Sequence, residues 1–359
     1  MAVEQIGNQN NRHFYISCLN VLSSVAVVAL HANGGFWSYR DDHSWAISNF
    51  IECAFYFAVP VFFMLTGATL FDYPDKYDTK TFIKKRMEKA VIPFLFWGAF
   101  AFFQKSLKDP QGFFINERRF DAIFNGIVGA GYVPVYWFFV PLFCIYLSIP
   151  LFANIDKAKK CKTLNYLACV GFVCNILIPF VISRVNNYFG WNISWGFDIS
   201  ALGGHLLYPV VGYLLHCYPL NKQQRAGIYI AALAGFAMHL FGTYSLSQEQ
   251  GAVSEYYKGY LNLPCVLYSV GVFVFVKYSA QKIRSEAVQR FVLCAQKYTF
   301  EIYLLHMFLY DKISNWLYRL HVVDTSPMFV VLMTAINIPA CVIITFILRK
   351  VLKLKVIVP

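Results

Sequence analysis

Apolar residues fall along this chain in blocks of about 20, the length of helix that crosses a bilayer core, and they do not alternate residue by residue as barrel strands do. The block ends predict about ten helices, at 14–36, 46–72, 90–106, 133–154, 163–183, 197–217, 226–243, 259–278, 298–318 and 327–348. Short stretches join them, as a compact bundle requires. No repeat, low-complexity tract or linker interrupts the series. The pattern therefore predicts an all-α polytopic membrane bundle folded as one domain over 1–359. The first block follows Arg12 with no small-residue cleavage site behind it, which marks a retained helix rather than a removable signal peptide.

Composition supports the same class: 58% of residues are hydrophobic and 14% charged, against roughly 45–50% apolar in soluble domains. Positive charge sits between alternate helices, at Lys80, Lys84, Lys85, Arg86 and Lys89, at Lys157–Lys162, at Lys277–Lys297, and beyond the last block at Arg349–Lys355. Loops that keep lysine and arginine are cytoplasmic, so both termini are expected inside. The net charge of +12 is thereby a feature of topology, and no nucleic-acid partner is needed to explain it. Ten cysteines lie in or beside apolar blocks without a CxxC spacing. They read as small buried residues, with neither disulfide nor metal site expected.

Ionisable groups inside a span are costly and become functional candidates by default. His31, in "VVALHANGGFW", lies about five residues from the outer end of the first helix, and Glu52 about six from the outer end of the second. At 1.5 Å per residue both sit roughly 8–9 Å deep on consecutive antiparallel helices. A carboxylate at that depth is expected to orient the imidazole and favour its acting as a base. The competing reading is a histidine that bonds a carbonyl and ties two helices together. His306, in "EIYLLHMFLYD", is mid-span; His205 shares a face with Asp198 on a segment interrupted by Gly203, Gly204 and Pro209; His239 reads as packing.

Before the third helix, "TFIKKRMEKAVIPF" masses Lys85, Arg86 and Lys89. Part of this is ordinary positive-inside signal, but residues three apart share a helical face and can clamp a phosphate cluster. No glycine-rich phosphate loop is present. The loop "YFGWNISWGFD" gathers Tyr188, Phe189, Trp191 and Trp195, either as an interfacial aromatic belt or as flat platforms for a sugar ring. Trp137 and Tyr208 are further candidate substrate or oxyanion donors, along with His205 and His306.

Together, "VVALHANGGFW", "FAVPVFFMLTGATLFDY", "FIKKRMEKAVIPFLFW", "VYWFFVPLFCIYLSIP" and "EIYLLH" resemble the acyltransferase-3 family of bacterial integral membrane O-acyltransferases. The resemblance runs from the first helix to the ninth and rests on the joint order of these pieces. It implies about ten spans in a bacterial plasma membrane, a cytoplasmic acyl-CoA donor such as acetyl-CoA, and transfer to a hydroxyl of an extracytoplasmic or lipid-linked glycan. The family's essential histidine matches His31, and its Arg-x-x-Arg element, linked to donor binding, matches Arg86-Met-Glu-Lys89. Lysine at the second position keeps the charge and loses bidentate geometry. Many members carry Arg or Lys eleven residues before the histidine, where this chain has Asn20. No fused extracytoplasmic domain is expected.

The mechanism these residues imply has acetyl-CoA phosphates on Lys85, Arg86 and Lys89, its arm threaded roughly 20 Å up the bundle, and His31 deprotonating the acceptor hydroxyl with Glu52 behind it. A covalent acetyl-imidazole is the variant route. The rival class is a proton-coupled carrier or flippase, which interrupted helices with buried His and Glu also describe.

Overall fold

The computed structural model describes residues 13–108, 120–197 and 203–359, and the backbone of 2–12. These residues form helices without a strand. In chain order they are α1 (Ala2–Ala32), α2 (His43–Phe55), α3 (Ala58–Leu70), α4 (Thr79–Arg86), α5 (Ile92–Lys108), α6 (Phe120–Ile127), α7 (Phe139–Ala153), α8 (Lys157–Phe172), α9 (Ile178–Phe189), α10 (Leu207–Cys217), α11 (Lys222–Gln250), α12 (Leu263–Ala280), α13 (Glu286–Ala295), α14 (Thr299–Arg319) and α15 (Pro327–Phe346).

Among the described residues eight stretches are long and apolar enough to cross a membrane: 13–32, 43–75, 79–108, 134–153, 157–189, 222–250, 263–280 and 327–351. Each contains one of the expected blocks or most of it. The other two expected spans are α10 and α14, and both differ from lipid-facing helices for a physical reason. α10 has 11 residues, and α14 carries Glu301, His306, Asp311 and Lys312 within its 21. Both are lined with buried side chains. A helix packed in protein escapes the length and apolarity that lipid imposes.

α1 is the axis of the bundle, packing against α2, α3, α12, α13, α14 and α15. Prolines shape the elements around it. Pro60 has no N–H to give the carbonyl of Tyr56, and the helix breaks at Tyr56–Phe57 between α2 and α3. Pro93 and Pro179 each follow a π turn, at Met87–Val91 and Val173–Leu177, where an inserted residue relieves the clash a proline makes. α3 and α10 touch backbone to backbone. A Cβ on Gly67 would stand 1.8 Å from the Pro209 oxygen, and one on Gly212 2.1 Å from the Met64 oxygen. Small residues at such a crossing let two membrane helices approach closely.

Candidate active site

The break between α2 and α3 leaves Glu52 and Tyr56 facing the last turn of α1, where they join His31 around a cavity of about 250 Å³. Trp37, Trp137, Glu255, Lys258 and Tyr260 add to its polar and aromatic lining. The 3-10 turn Gly34–Trp37 that follows α1 is pinned by the Trp45 indole N–H, which donates to the Phe36 carbonyl at 2.8 Å. Of the two glycines after His31, Gly35 is the constrained one: a Cβ there would meet the Thr325 backbone at 2.9 Å, whereas Gly34 faces open space. Asp42 caps α2 by accepting from the Trp45 amide at 2.7 Å. That bond, with Arg40 beside it, holds the Asp42 carboxyl below the usual carboxylate range.

Glu52 does not orient His31. Its Oε1 lies 2.7 Å from the Lys258 ammonium and its Oε2 accepts from Asn33 Nδ2 at 3.2 Å, with both members of the ion pair almost fully buried. A buried carboxylate takes the strongest counter-ion within reach, and an ammonium outcompetes a neutral imidazole. Asn33 is itself held by the Ser48 carbonyl at 2.8 Å, and the Lys258 ammonium sits 3.7 Å from the centroid of the Trp37 ring. The ring against His31 is that of His306, with centroids 5.2 Å apart and planes tilted by 30°. His306 lies on α14, where its Nδ1 is within hydrogen-bond distance of the Ile302 and Tyr303 carbonyls at 3.0 and 2.8 Å.

A second cavity, of about 190 Å³, is stacked on the first along α1. Its lining includes Asn20 from α1, Thr66 and Thr69 from α3, Arg86, Tyr146 and Thr299, while Phe138 and Tyr303 belong to both cavities. Asn20 and His31 are eleven residues apart, or about 16 Å of helix. The two shared rings form a septum fixed by reciprocal bonds: the Tyr136 hydroxyl donates to the Leu304 carbonyl at 2.8 Å, and the Tyr303 hydroxyl donates to the Val135 carbonyl.

Arg86 is the member of the basic element that lines this cavity. Its guanidinium lies 5.7 Å from the Tyr146 ring centroid and 5.8 Å from that of Phe82, and its Nε is buried without a partner. Lys85 instead places its ammonium 3.9 Å from the Tyr77 ring centroid, and Lys89 is exposed on the π turn. The wider turn breaks the three-residue register that would have set Lys89 beside Arg86.

The remaining sequence candidates scatter. Trp137 lines the His31 cavity and stacks on Tyr260 at 5.4 Å. His205 packs 5.0 Å from Phe63 beside a separate, mostly apolar hollow; its expected companion Asp198 lies outside the described residues. Tyr208 is buried, with its hydroxyl donating to the Tyr260 carbonyl. Trp191 stacks on Phe189, and the Trp195 indole donates to the Cys174 carbonyl at 2.9 Å; neither lines the two stacked cavities. His239 packs against Tyr56. Lys258 and Trp37 were not legible as site residues. A lysine before the eighth block reads as a loop charge, and only the fold brings it to Glu52. No group of three His, Cys, Asp or Glu among the described residues is placed to hold a metal ion.

A family model described as an acyltransferase domain matches residues 13–346. The chain belongs to the acyltransferase-3 family. The match runs from α1 to the end of α15 and so includes every element that lines the two cavities of this membrane acyltransferase. No curated protein and no solved structure matches it.

Proposed function

We propose that this acyltransferase moves an acetyl or similarly small acyl group from acyl-CoA, entering at the Arg86 end of the bundle, to a hydroxyl of a glycan or glycolipid at the His31 end. The Arg86 end is then the cytoplasmic face of a bacterial plasma membrane. The observation that carries this reading is the pair of cavities stacked along α1, which among the described residues have only Phe138 and Tyr303 in common. A guanidinium at one end suits the phosphates of CoA. Two indoles and the carboxylates of Glu52 and Glu255 at the other suit a sugar, which offers apolar ring faces and hydroxyl donors.

His31 accepts the proton of the acceptor hydroxyl as its oxygen attacks the thioester carbonyl. The tetrahedral intermediate collapses with cleavage of the C–S bond, and the His31 imidazolium returns the proton to the departing CoA thiolate. The products are an O-acyl ester and free CoA thiol. Arg86 at the Asn20 level supplies the cation that relatives place on α1, because both residues line the same cavity. A carrier would neither bind nor consume acyl-CoA, which separates that class cleanly. The test is thiol release from acetyl-CoA by purified protein in lipid, with an envelope glycan extract as acceptor. Wild type is expected to release thiol and label the extract, Arg86→Ala to raise the KM for donor, and His31→Ala to lose both activities. Absence of any acyl-CoA consumption by wild type would overturn the proposal.

A further inference from the structure

Glu52 is committed to Lys258, which leaves open what holds the imidazole of His31. The structure contains a second imidazole poised for that task. His306 is buried, and its Nδ1 faces two carbonyl oxygens of its own helix, Ile302 at 3.0 Å and Tyr303 at 2.8 Å. Carbonyls only accept, so Nδ1 must carry the proton and Nε2 of the neutral ring must present its lone pair. That Nε2 is buried and has no hydrogen-bond partner. A buried acceptor left unmatched is costly, and a specific one calls for an explanation. The His306 backbone is fixed as well, because Asn337 on α15 donates from Nδ2 to its carbonyl at 2.9 Å.

We propose that His306 is a positioning residue for His31: its Nε2 accepts the N–H of the His31 ring, so that the other His31 nitrogen presents its lone pair to the cavity. This deepens the base role proposed above for His31 and rests on it. The rings are 5.2 Å apart between centroids at a 30° tilt, a separation that an N–H···N bond between ring edges can span. The bond is not formed in this structure. Turning His31 about χ2, a soft sp³–sp² torsion, closes it, as catalytic hydrogen bonds commonly tighten only with substrate present. During transfer the acceptor proton goes to the cavity-side nitrogen of His31 and then to the thiolate. The proton on His306 Nδ1 never leaves its carbonyls, so His306 stays neutral and accepts throughout.

The test compares wild type, His306→Leu and His306→Gln in lipid, by kinetics and by ¹⁵N spectra of histidine-labelled protein in which the His31 signals are assigned by their loss in His31→Ala. Leu removes the acceptor, whereas Gln restores an oxygen near the Nε2 position. With the unreactive CoA analogue desulfo-CoA and a soluble glycan bound, wild-type His31 is expected to show one neutral tautomer and His306→Leu a mixture. The Leu variant is expected to lose kcat by about 10²-fold with the KM for acyl-CoA unchanged, and Gln to recover at least about a tenth of the wild-type value. A His31 tautomer unchanged by both substitutions would overturn the proposal. So would equal loss in Leu and Gln accompanied by a fall in thermal stability, which is the signature of a packing role. If the Leu variant fails to assemble, His306→Asn takes its place, because its shorter amide cannot reach the Nε2 position: a mixture of His31 tautomers supports the assignment and a single tautomer overturns it. The spectra do not depend on turnover, so a protein that consumes no acyl-CoA sinks the proposed function while leaving this assignment to be read separately.

Discussion

At the scale of single residues, the site is organised by which charges are buried together. Lys258 and Glu52 are both under a tenth exposed and 2.7 Å apart, so removing one strands the other. Lys258→Met is expected to lower stability by about 3–5 kcal/mol in detergent, while Glu52→Gln combined with Lys258→Met recovers most of that loss; thermal or denaturant unfolding of the two variants measures it. Equal instability in the single and double variants would mean the pair is held by packing instead of charge. The cavity shared by Asn20 and Arg86 makes a second expectation specific. Moving the cation, as Asn20→Arg in an Arg86→Ala background, should return donor KM toward wild type, and Asn20→Leu in the same background should not. His31 and Arg86 were legible in the sequence because each breaks a pattern, one as a charge carrier inside a span and one as part of a basic cluster at a helix start. The side chains that the fold sets beside Glu52 and His31 were not, because Lys258 and His306 lie more than 200 residues away along the chain and only packing brings them near.

At the scale of elements, the local chemistry of proline, glycine and caps sets where the site residues point. The apolar blocks are legible in the sequence, and eight of them are long and apolar enough to cross a membrane among the described residues, but the π turn before Pro93 is not legible, and it is what separates Lys89 from Arg86. The close crossing of α3 and α10 yields a sharp expectation. Gly67→Leu or Gly212→Leu places side-chain atoms on the partner's backbone, which cannot yield, so the fraction of monodisperse protein after extraction should collapse, whereas Gly34→Ala should extract like wild type. The cap of α2 carries a pH dependence. The Asp42 carboxyl is held below its ordinary range, first by the Trp45 amide and then by Arg40. Its contribution is therefore complete above the ordinary carboxylate range and is lost as pH falls through the lowered folded value. Hydrogen exchange in the first turn of α2 should accelerate over that acid window in wild type and be fast at all pH in Asp42→Ala.

At the scale of the whole molecule, two of the cavities among the described residues stand end to end along α1 with one thin septum between them. Phe138 is the member of that septum without a hydroxyl tether, and it stacks on Phe63 at 4.8 Å. Phe138→Ala is expected to widen the range of acyl chains accepted, measured as relative kcat/KM for acetyl-, butyryl- and hexanoyl-CoA. The fold class followed from block length and charge, since a bilayer dictates both. The cavities did not, because a void is a property of how helices diverge and no residue pattern spells it. The most direct measurement places acyl-CoA on the Arg86 face of sealed vesicles and a membrane-impermeant glycan on the other, then follows acyl transfer and thiol release for wild type and His31→Ala. The expected result is ester on the glycan and thiol on the Arg86 face with wild type, and neither with His31→Ala. Transfer that occurs only when donor and acceptor share one face, or that survives in His31→Ala, would contradict passage of the acyl group along the stacked cavities to His31.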